Sequence, residues 1–293
     1  MSLPTLTSPT YELVIPSSKK KVKFRPFMVK EEKVLLMALE SEDEKQIASA
    51  LEDIIAACVI TKGFKVKDLA TFDIEYIFLN IRAKSVGEIV ELILTCPDDG
   101  ETEVKVQVDI EKVKVDFAKG HTNKIKLNDN LWIEMKYPGI DSFANPQQDI
   151  DDTFKFVANS VDKIYDDSEV WDSNTTTQDE YVSFIEQLSS KQSADVQKFF
   201  DTMPALRHKI KAKNPNTNVE FDYVRRTYQF FRITLFHNSL ENYYRSTFAL
   251  MQHHNYSLTE LDNLIPWEFD IYTTLLKQYL EEEKKRIEQQ RRN

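Results

Sequence analysis

Apolar residues alternate with polar ones near the start of the chain and then switch to helical spacing. Tyr11, Leu13 and Ile15, a turn-like Pro16-Ser17-Ser18-Lys19-Lys20, then Val22 and Phe24 before Pro26 predict a β-hairpin. From Lys30 the apolar residues recur every three or four positions. Residues Lys30–Glu40 and Glu42–Ile60 read as two amphipathic helices broken near Ser41, with Ser41 or Asp43 available to cap the second. A third helix starting at Asp73 places Ile74, Ile77, Phe78 and Ile81 on one face.

Period two then returns. Glu88–Cys96 and Thr102–Ile110 predict paired strands, the second alternating Val104, Val106, Val108 and Ile110 with Lys105, Gln107 and Asp109. A second hairpin is expected between Asn123–Leu127 and Leu131–Tyr137, across Asn128-Asp129-Asn130, residues that suit left-handed backbone. Residues Asp149–Glu180 hold ten carboxylates and two lysines over a helical pattern of Phe154, Val157, Val161 and Ile164, which reads as a solvated helix face and loop. Helical segments follow at Asp179–Ser190 and Ala194–Met203. A short hairpin is expected around Asn214–Asn218, and one long aromatic helix over Arg225–His254, with Tyr228, Phe230, Phe231, Phe236, Tyr243, Tyr244 and Phe248.

The C-terminus is the most sharply punctuated segment. Ser257 and Glu260 form a capping box, and Pro266 fits the first turn of a terminal helix that starts acidic and ends in lysines and arginines. Beyond Leu280 that helix has only Ile287 to bury, so it is expected to project. The expected fold class is α+β. Residues 1–146 form an N-terminal α+β domain with two or three hairpins, and residues 147–293 a mainly helical domain with a long terminal helix.

Composition narrows the function. The 293 residues are 41% hydrophobic, enough for a core, and the formal net charge of −10 disfavours nucleic acid. A nucleic-acid binder using Arg225-Arg226 or the basic stretch Lys284–Arg292 is disfavoured by the acidic surroundings of both. Glycine occurs five times, under 2% where about 7% is usual, and the five are isolated, which strongly disfavours a phosphate-cradling loop. The N-terminus lacks a basic start followed by an apolar block, and no run approaches a membrane span. No GxSxG or HExxH occurs, and the adjacent His253 and His254 cannot chelate as an i,i+4 pair. No catalytic residue and no cofactor is assigned.

The turn at Cys96-Pro97-Asp98-Asp99-Gly100 resembles half of a metal-binding knuckle. Structural zinc needs four ligands, commonly from two CxxC-type pairs. Here Asp99 stands where the second thiol would fall, and the only other cysteine, Cys58, lies in a helical run. Cys96, Pro97, Asp99 and Gly100 are therefore read as a degenerate knuckle turn without metal.

Two stretches, Phe72–Glu101 and Leu250–Arg286, resemble a known family. The matching runs are Arg82-Ala83-Lys84-Ser85-Val86-Gly87-Glu88, Tyr256-Ser257-Leu258-Thr259-Glu260-Leu261 and Ile265-Pro266-Trp267-Glu268-Phe269-Asp270-Ile271-Tyr272. The chain resembles baseplate hub assembly proteins of T-even-type (T4-like) contractile-tailed bacteriophages. Relatives tend to keep a second cysteine at the position of Asp99 and an arginine at that of Phe269, a change expected to alter a surface contact. The resemblance implies a noncatalytic role in assembling the baseplate central hub. Its setting would be the cytoplasm of the infected bacterial host and the virion tail baseplate, and its partners other hub or tape-measure proteins. A tape-measure chaperone and, more distantly, an envelope-degrading tail enzyme are the alternatives. An apolar stripe of Trp267, Ile271, Leu275 and Tyr279 is the expected contact, either with a partner or with the chain's own aromatic helix.

Overall fold

The computed structural model describes residues 9–141, 150–226 and 238–292. Strands β1 (Tyr11–Val14) and β2 (Lys21–Phe24) pair antiparallel, burying Leu13, Val22 and Phe24. Lys19 takes a left-handed φ of 57° in their turn. Asp73 grips that turn, accepting the Ser17 amide at 3.0 Å and the Ser17 hydroxyl. Helices α1 (Val29–Glu40) and α2 (Glu44–Cys58) follow, with Ser41 closing the first. Asp43 caps α2 by accepting the Lys45 amide at 2.9 Å.

Helix α3 (Thr71–Ser85) has no exposed residue. Its face of Ile74, Ile77, Phe78 and Ile81 packs with the first hairpin, α1 and α2. Phe72, Leu79 and Ala83 enter a second core, with Val90, Leu92 and Leu94 of β3 (Ile89–Thr95) and Val108 of β4 (Glu103–Asp109). Leu206 and Ile210 complete that core from far along the chain.

Next come β5 (Lys114–Asp116), β6 (Lys124–Lys126), β7 (Trp132–Met135), α4 (Ile150–Asn159), β8 (Val161–Tyr165) and β9 (Val170–Asp172). Strands β6-β7-β8-β9 form one antiparallel sheet. Helices α5 (Gln178–Glu186) and α6 (Ser190–Thr202) cover it, and their capping boxes are Thr177 with Glu180 and Ser189 with Gln192. Strands β10 (Ala205–Lys213) and β11 (Glu220–Arg226) form a hairpin whose first strand also pairs with β5.

The chain finishes with α7 (Leu240–His254), α8 (Leu258–Asp262) and α9 (Pro266–Arg292). Ser239 caps α7, and left-handed Asn255 ends it. These helices bury Tyr243, Leu250, Leu261, Phe269 and Leu276 against Val29 and Leu36 of α1. Polar bonds seal the junction. The first α1 amide, Val29, donates to the Leu264 carbonyl at 2.9 Å, and Lys30 Nζ donates to Asn263 Oδ1 at 2.8 Å.

The α+β class stands, and several local expectations change. Val161 and Ile164 lie on β8 rather than on a helix. A bulge explains their helical spacing: Glu134 faces Lys163 and Met135 faces Val161, so Asp162 is the extra residue and both apolar side chains point inward. The long helix expected over Arg225–His254 begins instead at Leu240, and Arg225 and Arg226 belong to β11. Tyr228, Phe230, Phe231 and Phe236 lie outside the described residues. In the turn Asn128-Asp129-Asn130 no residue is left-handed; Asn128 Oδ1 instead accepts the amides of Asn130 and Leu131 at 3.0 and 2.9 Å. Strands from both sides of residue 146 share two sheets, β7 with β8 and β5 with β10.

On α9 the buried and exposed faces are cleanly separated, which sets up a paired test. Phe269→Ala should cost about 3–5 kcal/mol in urea denaturation. Trp267→Ala, two residues away and 42% exposed, should cost less than about 1 kcal/mol. Equal costs would contradict this packing.

Candidate functional site

Backbone hydrogen bonds close the Cys96 turn. The Cys96 amide donates to the Thr102 carbonyl at 2.7 Å, and the Gly100 amide donates back to the Cys96 carbonyl at 2.9 Å. Gly100 sits at φ 71°, backbone that a residue with Cβ rarely adopts. Asp99 does local work: Oδ1 accepts the amides of Glu101 and Thr102 at 3.1 and 3.0 Å, and Oδ2 accepts the Thr102 hydroxyl at 2.6 Å.

The same carboxylates reach a second hairpin. Asn214, wholly buried between β10 and β11, donates from Nδ2 to Asp98 Oδ1 at 3.0 Å, Asp98 Oδ2 at 3.1 Å and Asp99 Oδ2 at 2.8 Å. The Thr217 hydroxyl donates to Asp98, and Asn216 Nδ2 donates to the Thr102 hydroxyl at 3.0 Å. Two hairpin tips more than a hundred residues apart in sequence are thus clamped together. The Thr102 hydroxyl, its amide and Asn214 hold Asp99 well below the usual carboxylate range; Asn214 and Thr217 lower Asp98. Burial pushes the Cys96 thiol up, and the two carboxylates push it further. Among the described residues no group of three or more His, Cys, Asp or Glu could hold a metal ion.

Cys58 is also sealed in. Burial, reinforced by Glu31, pushes its thiol up to about 12, which leaves it protonated and unreactive at neutral pH. Glu31 is committed to Arg25, which donates to its two carboxylate oxygens at 2.9 and 2.6 Å. Glu75 on α3 is buried with Oε2 lacking a hydrogen-bond partner, and burial raises it well above the carboxylate range. His253 and His254 are exposed.

His121 is a junction that the sequence did not reveal. Its Nδ1 lies 2.9 Å from the Thr202 hydroxyl and its Nε2 2.9 Å from the Tyr137 hydroxyl. Thr202 donates to the Lys198 carbonyl at 2.6 Å, so Nδ1–H donates to Thr202 and Nε2 accepts from Tyr137. The ring stacks on Tyr137 and packs on Phe199, and burial lowers its pKa. A loop histidine with no periodic neighbours carries no such signal in sequence. Beside it, a cavity of about 230 Å³ lies between β6 and α6, lined by Lys124, Lys126, Lys198 and one carboxylate, Asp195.

The expected contact stripe is on the surface. Trp267 is 42%, Ile271 50%, Leu275 54% and Tyr279 52% exposed, all on one i,i+4 ridge of α9. Phe269, expected to alter a surface contact, is instead 4% exposed in the core shared with α1, because its side chain points to the opposite face. More than half of the large apolar side chains exposed among the described residues lie within 238–292, including Tyr244, Phe248 and Met251 of α7. Residues 281–290 of α9 are all exposed.

The described residues form an interlocked α+β body that carries an exposed apolar helical face. A family model described as T4 bacteriophage base plate protein matches residues 8–232, and the chain belongs to that family. Membership makes it a phage baseplate structural or assembly protein, one whose contacts are other phage structural proteins. The matched span runs from β1 through β11 and ends before α7. No curated protein and no solved structure matches the chain. Among the described residues no helix is long and apolar enough to cross a membrane.

The clamp predicts its own pH dependence. Asp98 and Asp99 titrate lower in the folded chain than in the unfolded one. Their contribution is therefore complete above the ordinary carboxylate value of about 4 and is lost as pH falls through the lowered folded values. Asn214→Ala should destabilise by about 1–3 kcal/mol at neutral pH, and its gap from the wild type should narrow in acid. An unchanged denaturation midpoint at neutral pH would remove the clamp from the account.

Proposed function

We propose that the chain is a noncatalytic assembly protein of the baseplate central hub, acting in the infected bacterial host where the tail is built. The observation that carries this reading is the α9 ridge of Trp267, Ile271, Leu275 and Tyr279, exposed on a helix whose other face is already buried against α1. Monomeric proteins rarely leave such a contiguous apolar surface uncovered. A helix offering anchors at i, i+4, i+8 and i+12 is suited to docking against other hub or tape-measure proteins. The chemistry at the other sites agrees: both thiols are buried, His121 is occupied at both ring nitrogens, and the paired aspartates serve as a clamp.

The test separates surface from fold. Phage carrying Ile271→Asp with Leu275→Asp should give at least about tenfold fewer infective particles. The purified variant should keep its unfolding free energy in urea to within about 1 kcal/mol, since both positions are exposed. Wild-type particle yields would overturn the assignment of this ridge.

A further inference from the structure

Among the described residues, the hairpin that carries the Cys96 turn has two unpaired edges, and only one of them is defended. The Cys96 amide bonds to Thr102 and the Ile110 amide bonds to the Glu88 carbonyl. The even-numbered residues of β3 therefore point their backbone groups at β4. Ile89, Glu91, Ile93 and Thr95 point theirs the other way. No strand pairs with that side of β3 among the described residues.

Other edges in the chain carry charge. The outward residues of β4 are Glu103, Lys105, Gln107 and Asp109, and those of β6 are Lys124 and Lys126. Charged side chains, lysine above all, are the usual protection against edge-to-edge pairing. The β3 edge has instead Ile89 at 53% and Ile93 at 58% exposure, a single charge at Glu91, no proline and an unbroken register with β4. A long, regular, apolar edge of this kind is a template for another strand.

We infer that the β3 edge is an interface for a second copy of this chain, joined antiparallel about a two-fold axis so that β4-β3-β3-β4 becomes one continuous sheet. The edge is its own complement in one register only. With Glu91 opposite Ile93 of the second copy, Ile89 falls opposite Thr95 and every outward amide and carbonyl from 89 to 95 gains a partner. Sliding toward the N-terminus sets Glu91 against Glu91, a like-charge pair that destabilises a sheet. Sliding the other way leaves Ile89 unpaired. In the matched register Ile89 and Ile93 of both copies lie side by side on the outer face, while Val90, Leu92 and Leu94 keep their places in the second core. This interface does not rest on the α9 ridge or on the hub assignment.

Sedimentation of the full chain tests the inference, with amide hydrogen exchange as the local readout. Near 50 µM the mass should approach twice 34.3 kDa. The amides of Ile89, Glu91, Ile93 and Thr95 should exchange at least about tenfold more slowly than in the diluted monomer. Ile93→Lys should raise the dimer dissociation constant at least about tenfold. Glu91→Pro removes an outward donor that the hairpin does not use, and it should have the same effect. Ile271→Asp with Leu275→Asp should leave dimerisation unchanged. A monomer at 50 µM, a dimer with these four amides unprotected, or a dimer abolished only by the α9 variant would each overturn the inference.

Discussion

Helix α3 has no fully exposed residue, and the body of the protein is organised by that constraint. Ile74, Ile77, Phe78 and Ile81 fill one core while Phe72, Leu79 and Ala83 fill another, so a single helix fixes the hairpin and helices before it relative to the strands after it. The cost appears in its polar residues, since Asp73, Glu75, Arg82 and Ser85 are buried with it. Asp73 grips the first hairpin turn through Ser17, Arg82 donates to the Gly87 carbonyl, and Ser85 accepts the Phe27 amide. These bonds reach the segments on either side of α3, which is how a buried helix also sets where its neighbours begin.

Local structure was readable wherever the side-chain period and the turn chemistry agreed. The first hairpin, α1 to α3, the β3–β4 hairpin and the Ser257–Glu260 capping box all follow from spacing and caps. Reading failed where tertiary structure reset the period. The bulge at Asp162 gives Val161 and Ile164 a helical spacing on a strand, and only the register with β7 reveals it. The pairing of β5 with β10 joins residues about ninety positions apart, a separation that no window of sequence samples. The arginine that relatives tend to keep at the position of Phe269 suggested a surface contact, yet this face of the helix meets α1.

The candidate sites show the same division. The four members of the α9 ridge could be picked out from i,i+4 spacing, and the structure leaves all four exposed. The turn at Cys96 was legible as a turn, and Asp99 as the residue in place of a thiol. Asn214 was not legible, because its role depends on two hairpin tips meeting in space. With that clamp in place, hydrogen bonds fix the tip and satisfy its carboxylates. His121 depends likewise on Tyr137 and Thr202 arriving from separate elements.

Membership of the base plate family and the division of α9 into a buried and an exposed face lead to one picture. The terminal helices are fastened to the body through α1, and the outward ridge is the proposed dock for another phage protein. The direct measurement is hydroxyl-radical footprinting of the free chain against baseplates assembled with it. Labelling of Trp267 and Tyr279 should fall at least about fivefold on assembly, while that of Val170, exposed on β9, should not change. Equal labelling of Trp267 and Tyr279 in the two states would contradict the account.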